Sequence, residues 1–306
     1  MRLSRGERSP RGVTLIELAV VLALLGIVGS IIGTCLLRQQ RFYRGAGELL
    51  GARENVRDAM EVISTDIRGL AVADTVRALG DSAIEFFANI GGAVVCSNVI
   101  GAEVGLAGSS GPRGNTLTAL VSAPDSGDLA VIYRAGNDTV APGWERARIA
   151  SFTPRSLTTI CPDSSAFAVG VGGQGFLLTL ATPLTSGVAA GNPVRFIRRS
   201  RYSLYRAGDG EWYLGYRRCN AIGPSVCGAV QPLSGPYRAY GSDSTASGMR
   251  FEYFNGRGEP TTSAAELARV TITARSESRH RIPIDGRQWR PADSATVSIA
   301  VRNRAP

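Results

Sequence analysis

From Val13 to Leu37 the chain carries one charged residue, Glu17, and the 20 residues from Leu18 to Leu37 carry none. A helix rises ~1.5 Å per residue, so the uncharged run covers ~30 Å, the hydrocarbon thickness of a bilayer. Beyond it, Phe42, Ala46, Leu49, Val56, Met60, Ile63, Ile67 and Leu70 recur at spacings of three and four, with Arg53 the one interruption. No proline falls between positions 38 and 70. The pattern predicts one long helix in two parts: residues 13–37 apolar and membrane-spanning, residues 38–70 amphipathic with one face to bury. Gly69 supplies the stop.

After residue 70 the period changes from helical to alternating. Runs rich in β-branched and aromatic residues predict strands at 84–88, 117–122, 129–134, 146–152, 176–182, 194–197, 202–206, 212–217, 249–254, 270–274 and 296–301. Turn signals separate them at Gly136-Asn137-Asp138, Gly208-Asp209-Gly210 and Asn255-Gly256-Arg257-Gly258. The clearest hairpin joins 202–206 to 212–217. Two glycine- and serine-rich stretches, 101–114 and 242–248, read as exposed loops. The expected fold class is α+β, a long N-terminal helix packed on a mostly antiparallel β-rich domain at 71–306.

Composition narrows the chemistry. The formal charge is +9, and all 34 residues counted as Lys plus Arg are arginine. Without lysine there is no Schiff base and no phosphate-loop lysine. A single His280 excludes a multi-histidine metal site and leaves one possible base for a Ser-His or Cys-His arrangement. Its neighbours Arg279 and Arg281 place it in an exposed basic loop. No acid, base and nucleophile converge in the pattern, so neither an enzyme nor a bound cofactor or metal is expected.

The amino terminus is more specific. Residues 1–12 hold Arg2, Arg5, Arg8 and Arg11 against Glu7, a basic leader. No Ala-x-Ala cleavage site follows Leu37, and Thr34 stands where a lipobox has Gly or Ala before its cysteine, here Cys35. A carboxylate at membrane depth, as at Glu17, is retained for a partner; the plainer reading is that it marks the interfacial end of the helix. The sequence Arg11-Gly12-Val13-Thr14-Leu15-Ile16-Glu17 resembles the prepilin cleavage and methylation site of type IV pilins and type II secretion pseudopilins. The resemblance implies a pilin-like fold and a cut between Gly12 and Val13 by a prepilin peptidase of the inner membrane, with methylation of the new terminus. It also implies an assembly role for Glu17, with Thr14 beside it, and filament contacts with other pilins or pseudopilins through the N-terminal helix. Val13 departs from the family's usual Phe or Met, which bears on methylation. A new α-ammonium at Val13 lies four helical residues, ~6 Å, from Glu17. In lipid each charge needs the other, so pairing between neighbouring subunits would fix register rather than add net stability.

Later segments resemble a narrower group, the PilW/PulJ-type minor pilins. They are Arg201-Tyr-Ser-Leu-Tyr-Arg206, Glu211-Trp-Tyr-Leu-Gly-Tyr-Arg217, Gly248-Met-Arg-Phe-Glu-Tyr-Phe-Asn255, Arg269-Val-Thr-Ile-Thr273 and Val297-Ser-Ile-Ala-Val-Arg-Asn303. This implies a low-copy subunit that initiates or caps a type IV pilus or a secretion pseudopilus. The N-terminus would be cytoplasmic and the bulk periplasmic or at the cell surface. The rival reading is a single-span, membrane-anchored β-rich binding or adhesion module for sugar, DNA or a surface ligand, outside any filament.

Five cysteines occur. Cys35 lies in the apolar helix. Cys219 and Cys227 flank a short Gly-Pro loop and are the first candidate disulfide, leaving Cys96 with Cys161; unpaired, buried cysteines are the alternative. Arg195, Arg198, Arg199, Arg201, Arg206, Arg217 and Arg218 crowd the hairpin. They read either as an anion surface, for DNA or an acidic partner, or as ordinary exposed positions in an arginine-only chain. Asp125, Asp128, Asp209 and Glu211 are weighed as calcium ligands against solvated turns.

Overall fold

The apolar and amphipathic stretches form one unbroken helix, α1 (Leu15–Arg68), of 54 residues in the computed structural model. The structure describes residues 12–70, 76–97, 101–109, 117–136, 141–161, 173–185, 187–241, 243, 245–284 and 287–301. Residues up to Gly51 group with Ser278–Pro291 in one unit, and Ala52–Glu277 group with the chain from Ala292 in a second.

In the second unit the chain runs β1 (Val76–Leu79), β2 (Ala83–Val94), β3 (Glu103–Leu106), β4 (Ala119–Leu120), β5 (Leu129–Arg134), β6 (Gly143–Ser156) and a turn of helix, α2 (Leu157–Ile160). It continues through β7 (Gln174–Leu180), β8 (Pro193–Arg206), β9 (Trp212–Arg218), β10 (Gln231–Tyr237), β11 (Met249–Phe254) and β12 (Arg269–Glu277). Between β12 and β15 (Ala292–Ala300) come β13 (Ile282–Ile284) and β14 (Arg287–Trp289), which belong to the first unit. One 13-stranded sheet has the order β11-β12-β10-β9-β8-β5-β6-β7-β3, with β1, β2, β4 and β15 joined off this path. All pairings among the described residues are antiparallel. The architecture is therefore α+β, with a long apolar N-terminal helix and a mostly antiparallel β-rich domain.

Strand β8 organises this sheet. One edge pairs with β2 from Ala83↔Ser203 to Val94↔Pro193. The other is shared: Val194 to Ile197 pair with β5, and Ser200 to Arg206 pair with β9. The sheet forks at Arg198-Arg199. Two apolar clusters lie on either side of the fork. One gathers Val56, Ile63 and Ile67 from α1 and Leu70 just beyond it with Phe86, Tyr202, Leu214, Met249 and Ile272. The other gathers Val104, Ile132, Ile149, Leu178 and Phe196. Burying one Leu, Ile or Phe side chain contributes about 1.5–3 kcal/mol, so the first cluster, rather than helix propensity, fixes where α1 docks within the unit.

Several expectations need correction. The stripe predicted from Phe42 to Leu70 is buried only from Ala52 onward. Phe42 is 71% exposed and meets Tyr43 edge-on at the helix surface, because the cluster receiving α1 begins at Val56. The strands predicted at 194–197 and 202–206 are one strand; the charged pair Arg198-Arg199 breaks the apolar alternation but not the backbone ladder. Part of the predicted loop 101–114 is β3, whose Val104 and Leu106 are fully buried against β7; residues 110–114 of that loop lie outside the described residues. In the predicted loop 242–248, Ser247 is buried. The strand predicted at 117–122 is reduced to β4, which meets β2 at Gly91. That glycine has φ +156, and a Cβ there would lie 2.7 Å from the Ala119 carbonyl oxygen, so the close approach requires Gly. β10, which carries Pro232, Gly235 and Pro236, is not among the predicted strands. It is accommodated by register shifts between Pro232 and Ser234 and between Ser234 and Tyr237. Of the predicted turns, Gly136-Asn137-Asp138 falls partly outside the described residues.

Candidate functional site

At the amino terminus Thr14 and Glu17 close on each other. The Glu17 carboxylate accepts from the Thr14 backbone N–H and from its hydroxyl, each at 3.0 Å, and the Glu17 N–H donates to Thr14 Oγ1 at 3.3 Å. This is a capping box: Thr14 stands at the cap and Glu17 three residues on, each satisfying an N–H that the helix leaves unpaired. The acidic group also sits in the first turn, where the helix dipole favours it. Gly12 and Val13 precede the helix in exposed, non-helical backbone. The bond between them is therefore presented just before the first turn of α1. Gly12 to Arg44 are exposed apart from Gly33, and the helix is long and apolar enough to cross a membrane.

A family model described as the prokaryotic N-terminal methylation motif matches residues 8–33. The chain carries a type IV pilin-like prepilin-type motif. Gly12, Val13, Thr14 and Glu17 all fall inside the match, and it covers the uncharged run as far as Gly33. The motif and the apolar helix fit a membrane-anchored protein, and the motif points to a structural filament subunit rather than an enzyme. No curated protein and no solved structure matches the chain.

The remaining candidate residues lie in the β-rich unit. Cys96 is joined to Cys161, and Cys219 to Cys227. The first bond ties β2's end to the end of α2, inside a small cluster with Ala107 and Leu157. The second closes a loop after β9 whose Ile222 and Val226 are exposed. Cys35 is exposed on α1 and forms no disulfide.

Most of the crowded arginines are neither a free anion surface nor idle surface positions. Arg198 donates to Asp128 from Nε at 3.1 Å and from a terminal nitrogen at 2.8 Å, and to the Ala123 carbonyl. Arg218 reaches Asp125 at 2.8 Å and Asp128 at 3.1 Å. On the opposite face of β8, Arg199 holds Glu85 at 2.6 Å and donates to the Asn220 and Gly223 carbonyls of the disulfide loop. Arg201 lies 3.7 Å from the same carboxylate. Asp128 and Glu85 are 2% exposed, so each charge is compensated where water is scarce. Two buried carboxylates thus clamp the fork from both faces. Sequence reasoning missed Glu85: its partner Arg199 is 114 residues away, and no local pattern marks it.

The acidic residues weighed as calcium ligands are separated by these bonds. Asp125 and Asp128 serve Arg218 and Arg198. Asp209 accepts from the Glu211 N–H and the Tyr213 hydroxyl within the hairpin turn. Among the described residues, one cluster has ligand-like proximity, Glu85 with the Cys219 and Cys227 sulfurs. Its sulfurs are bonded to each other and its carboxylate is held by Arg199. His280 is exposed, and it lines a cleft with Arg41, Arg44 and Arg281.

Polar contacts also link α1 to the sheet: Tyr237 donates its hydroxyl to the Asn55 carbonyl at 2.6 Å, and one further contact bears on titration. Tyr202 donates its hydroxyl to Asp66 at 2.5 Å. Burial raises the Asp66 carboxyl above the ordinary aspartate range, and the Tyr202 hydrogen bond partly offsets that rise. The Tyr202 hydroxyl is pushed strongly upward by burial and by the Asp66 charge.

Proposed function

We propose that this chain is a minor pilin or pseudopilin, most like the PilW/PulJ type, a non-catalytic subunit that helps initiate or cap a type IV pilus or a type II secretion pseudopilus. Residues 1–12 are the leader, 13–37 the membrane anchor, 38–70 the outer half of the spine helix and 71–306 the β-rich domain. A prepilin peptidase cuts between Gly12 and Val13 in the inner membrane, with the N-terminus cytoplasmic and the β-rich domain periplasmic. Other pilins are the filament partners, met through the helix.

The observation that carries this reading is the matched motif running directly into an uninterrupted helix. Cleavage frees an amine at Val13, one residue from the N–H that Glu17 already accepts. A carboxylate at this position can therefore take an amine from its own chain or from a neighbour displaced along the axis, and in lipid both charges gain by the exchange.

The test is the intact mass and amino-terminal peptide of protein taken from membranes of cells that carry the matching peptidase. The expected chain begins at N-methylated Val13 and lacks the leader. A chain that still begins at Met1 overturns the reading and leaves the membrane-anchored binding module in its place.

A further inference from the structure

The first unit contains a basic cleft that no part of the proposed assembly uses. It has a volume of about 570 Å³ and lies between α1 and the hairpin segment, lined by Arg41, Arg44, Glu48, His280, Arg281 and Ile282 among others. The hairpin pairs Ile282 with Trp289. A Cβ at Gly45 would stand 3.4 Å from Ile282 Cδ1, so the small residue lets the hairpin rest close against the helix. Among the described residues, Arg41, Arg44 and Arg281 have no ion-pair partner, while Glu48 is the one carboxylate in the lining. Three cations facing one anion in one cleft leave it positively charged.

Its height above the apolar run decides what it fits. Arg41 lies four residues and Arg44 seven residues beyond Leu37, about 6 and 10 Å along the helix. The polar headgroup layer on each side of a bilayer is about 5–8 Å deep. Trp289, 46% exposed on the same hairpin, is of the residue type that concentrates at that layer. Segment 278–291 adds Arg279, Arg287 and Arg290 to Arg281 against a single Asp285.

We infer that this cleft binds the phosphate of an anionic phospholipid, with Arg41, Arg44 and Arg281 as ligands and Trp289 as an interfacial anchor. The inference rests on residues 13–37 lying in a bilayer and is independent of filament assembly. Its effect is to hold the hairpin down on the membrane surface, which would fix the depth of the helix.

The test uses the full chain. Flotation with phosphatidylcholine liposomes first checks insertion; a chain that does not float overturns the membrane reading and this inference together. Floating protein is then extracted in detergent, incubated with equal phosphatidylglycerol and phosphatidylcholine, and examined for retained lipid by native mass spectrometry. Wild type should retain phosphatidylglycerol preferentially. R41Q/R44Q/R281Q should lower that preference, and the single R44Q by about fivefold, the factor expected for one arginine near an anionic surface. The charge-matched R148Q/R155Q/R257Q should keep it. G45L, which crowds the hairpin off the helix, should weaken retention without removing a charge. Equal retention of both lipids by wild type, or an unchanged preference in R41Q/R44Q/R281Q, would sink the proposal while leaving the membrane anchor intact. Displacement of the lipid by inorganic phosphate would mark a free-anion site and overturn the lipid assignment.

Discussion

Arg199 and Glu85 face each other across the β8–β2 pairing, their side chains 8% and 2% exposed and 2.6 Å apart. The same guanidinium holds two carbonyls of the Cys219–Cys227 loop, so one side chain joins the sheet to the loop that covers its outer face.

Removing only Arg199 leaves a carboxylate buried and undercompensated. Arg199→Leu should cost about 3–5 kcal/mol, whereas Glu85→Leu with Arg199→Leu should recover much of that loss. Denaturant midpoints of the detergent-solubilised chain would check both; equal losses in the single and double variants would contradict the pairing.

The disulfides should differ in weight. Cys96–Cys161 closes a loop of 65 residues and Cys219–Cys227 one of 8. Chain-entropy arguments give about 4 kcal/mol for the first and about 2.5 for the second. Replacing each pair by serine and comparing midpoints under oxidising conditions would test the order, and a larger loss from the short loop would reverse it.

Asp66 sets a pH dependence. Its folded carboxyl is raised by burial, so the folded state binds this proton more tightly than the unfolded chain. The stability it contributes is full below about pH 4, the unfolded value, and is lost as pH rises through the raised folded value. Asp66→Asn keeps an acceptor for Tyr202 and removes the titration. Its midpoint should gain on wild type as pH rises from 4 to neutrality, and a constant difference across that range would exclude the linkage.

Glu17→Ala should leave the chain inserted and cut between Gly12 and Val13 but retained in the membrane fraction instead of sheared filaments. Thr14→Val, which keeps the carboxylate and removes the hydroxyl partner, should incorporate better than Glu17→Ala. Normal incorporation of Glu17→Ala would remove the register role.

The helix was legible because its signals are local: an uncharged run, then apolar residues at helical spacing, then Gly69. So were β5, β11 and the hairpin around Asp209, where alternation and turn chemistry agree. The joining of β8 across Arg198-Arg199 was not, since what allows two arginines mid-strand is a pair of carboxylates, Asp128 and Glu85, contributed from distant segments. β10 was hidden by prolines that usually exclude a strand. The motif residues could be named from sequence, while the Arg41 and Arg281 cleft is built by residues more than two hundred positions apart and leaves no trace in either segment alone.

The fork on β8 also sets the order in which this chain can fold. Ala83 must wait for Ser203, and Ile132 for Val194, before β2 and β5 gain the edge they share with β8; β8's pairing with β9 is local. Loop closure on that scale is slow, of the millisecond-to-second class. Until it happens, β2 exposes Ile84, Phe86, Phe87 and Ile90 beside an unpaired backbone edge, the kind of segment that recruits other chains. A nascent chain stopped short of β8 can form the β1–β2 and β5–β6 pairings but leaves this edge of β2 open. That edge stays open until β8, residues 193–206 of 306, has been made.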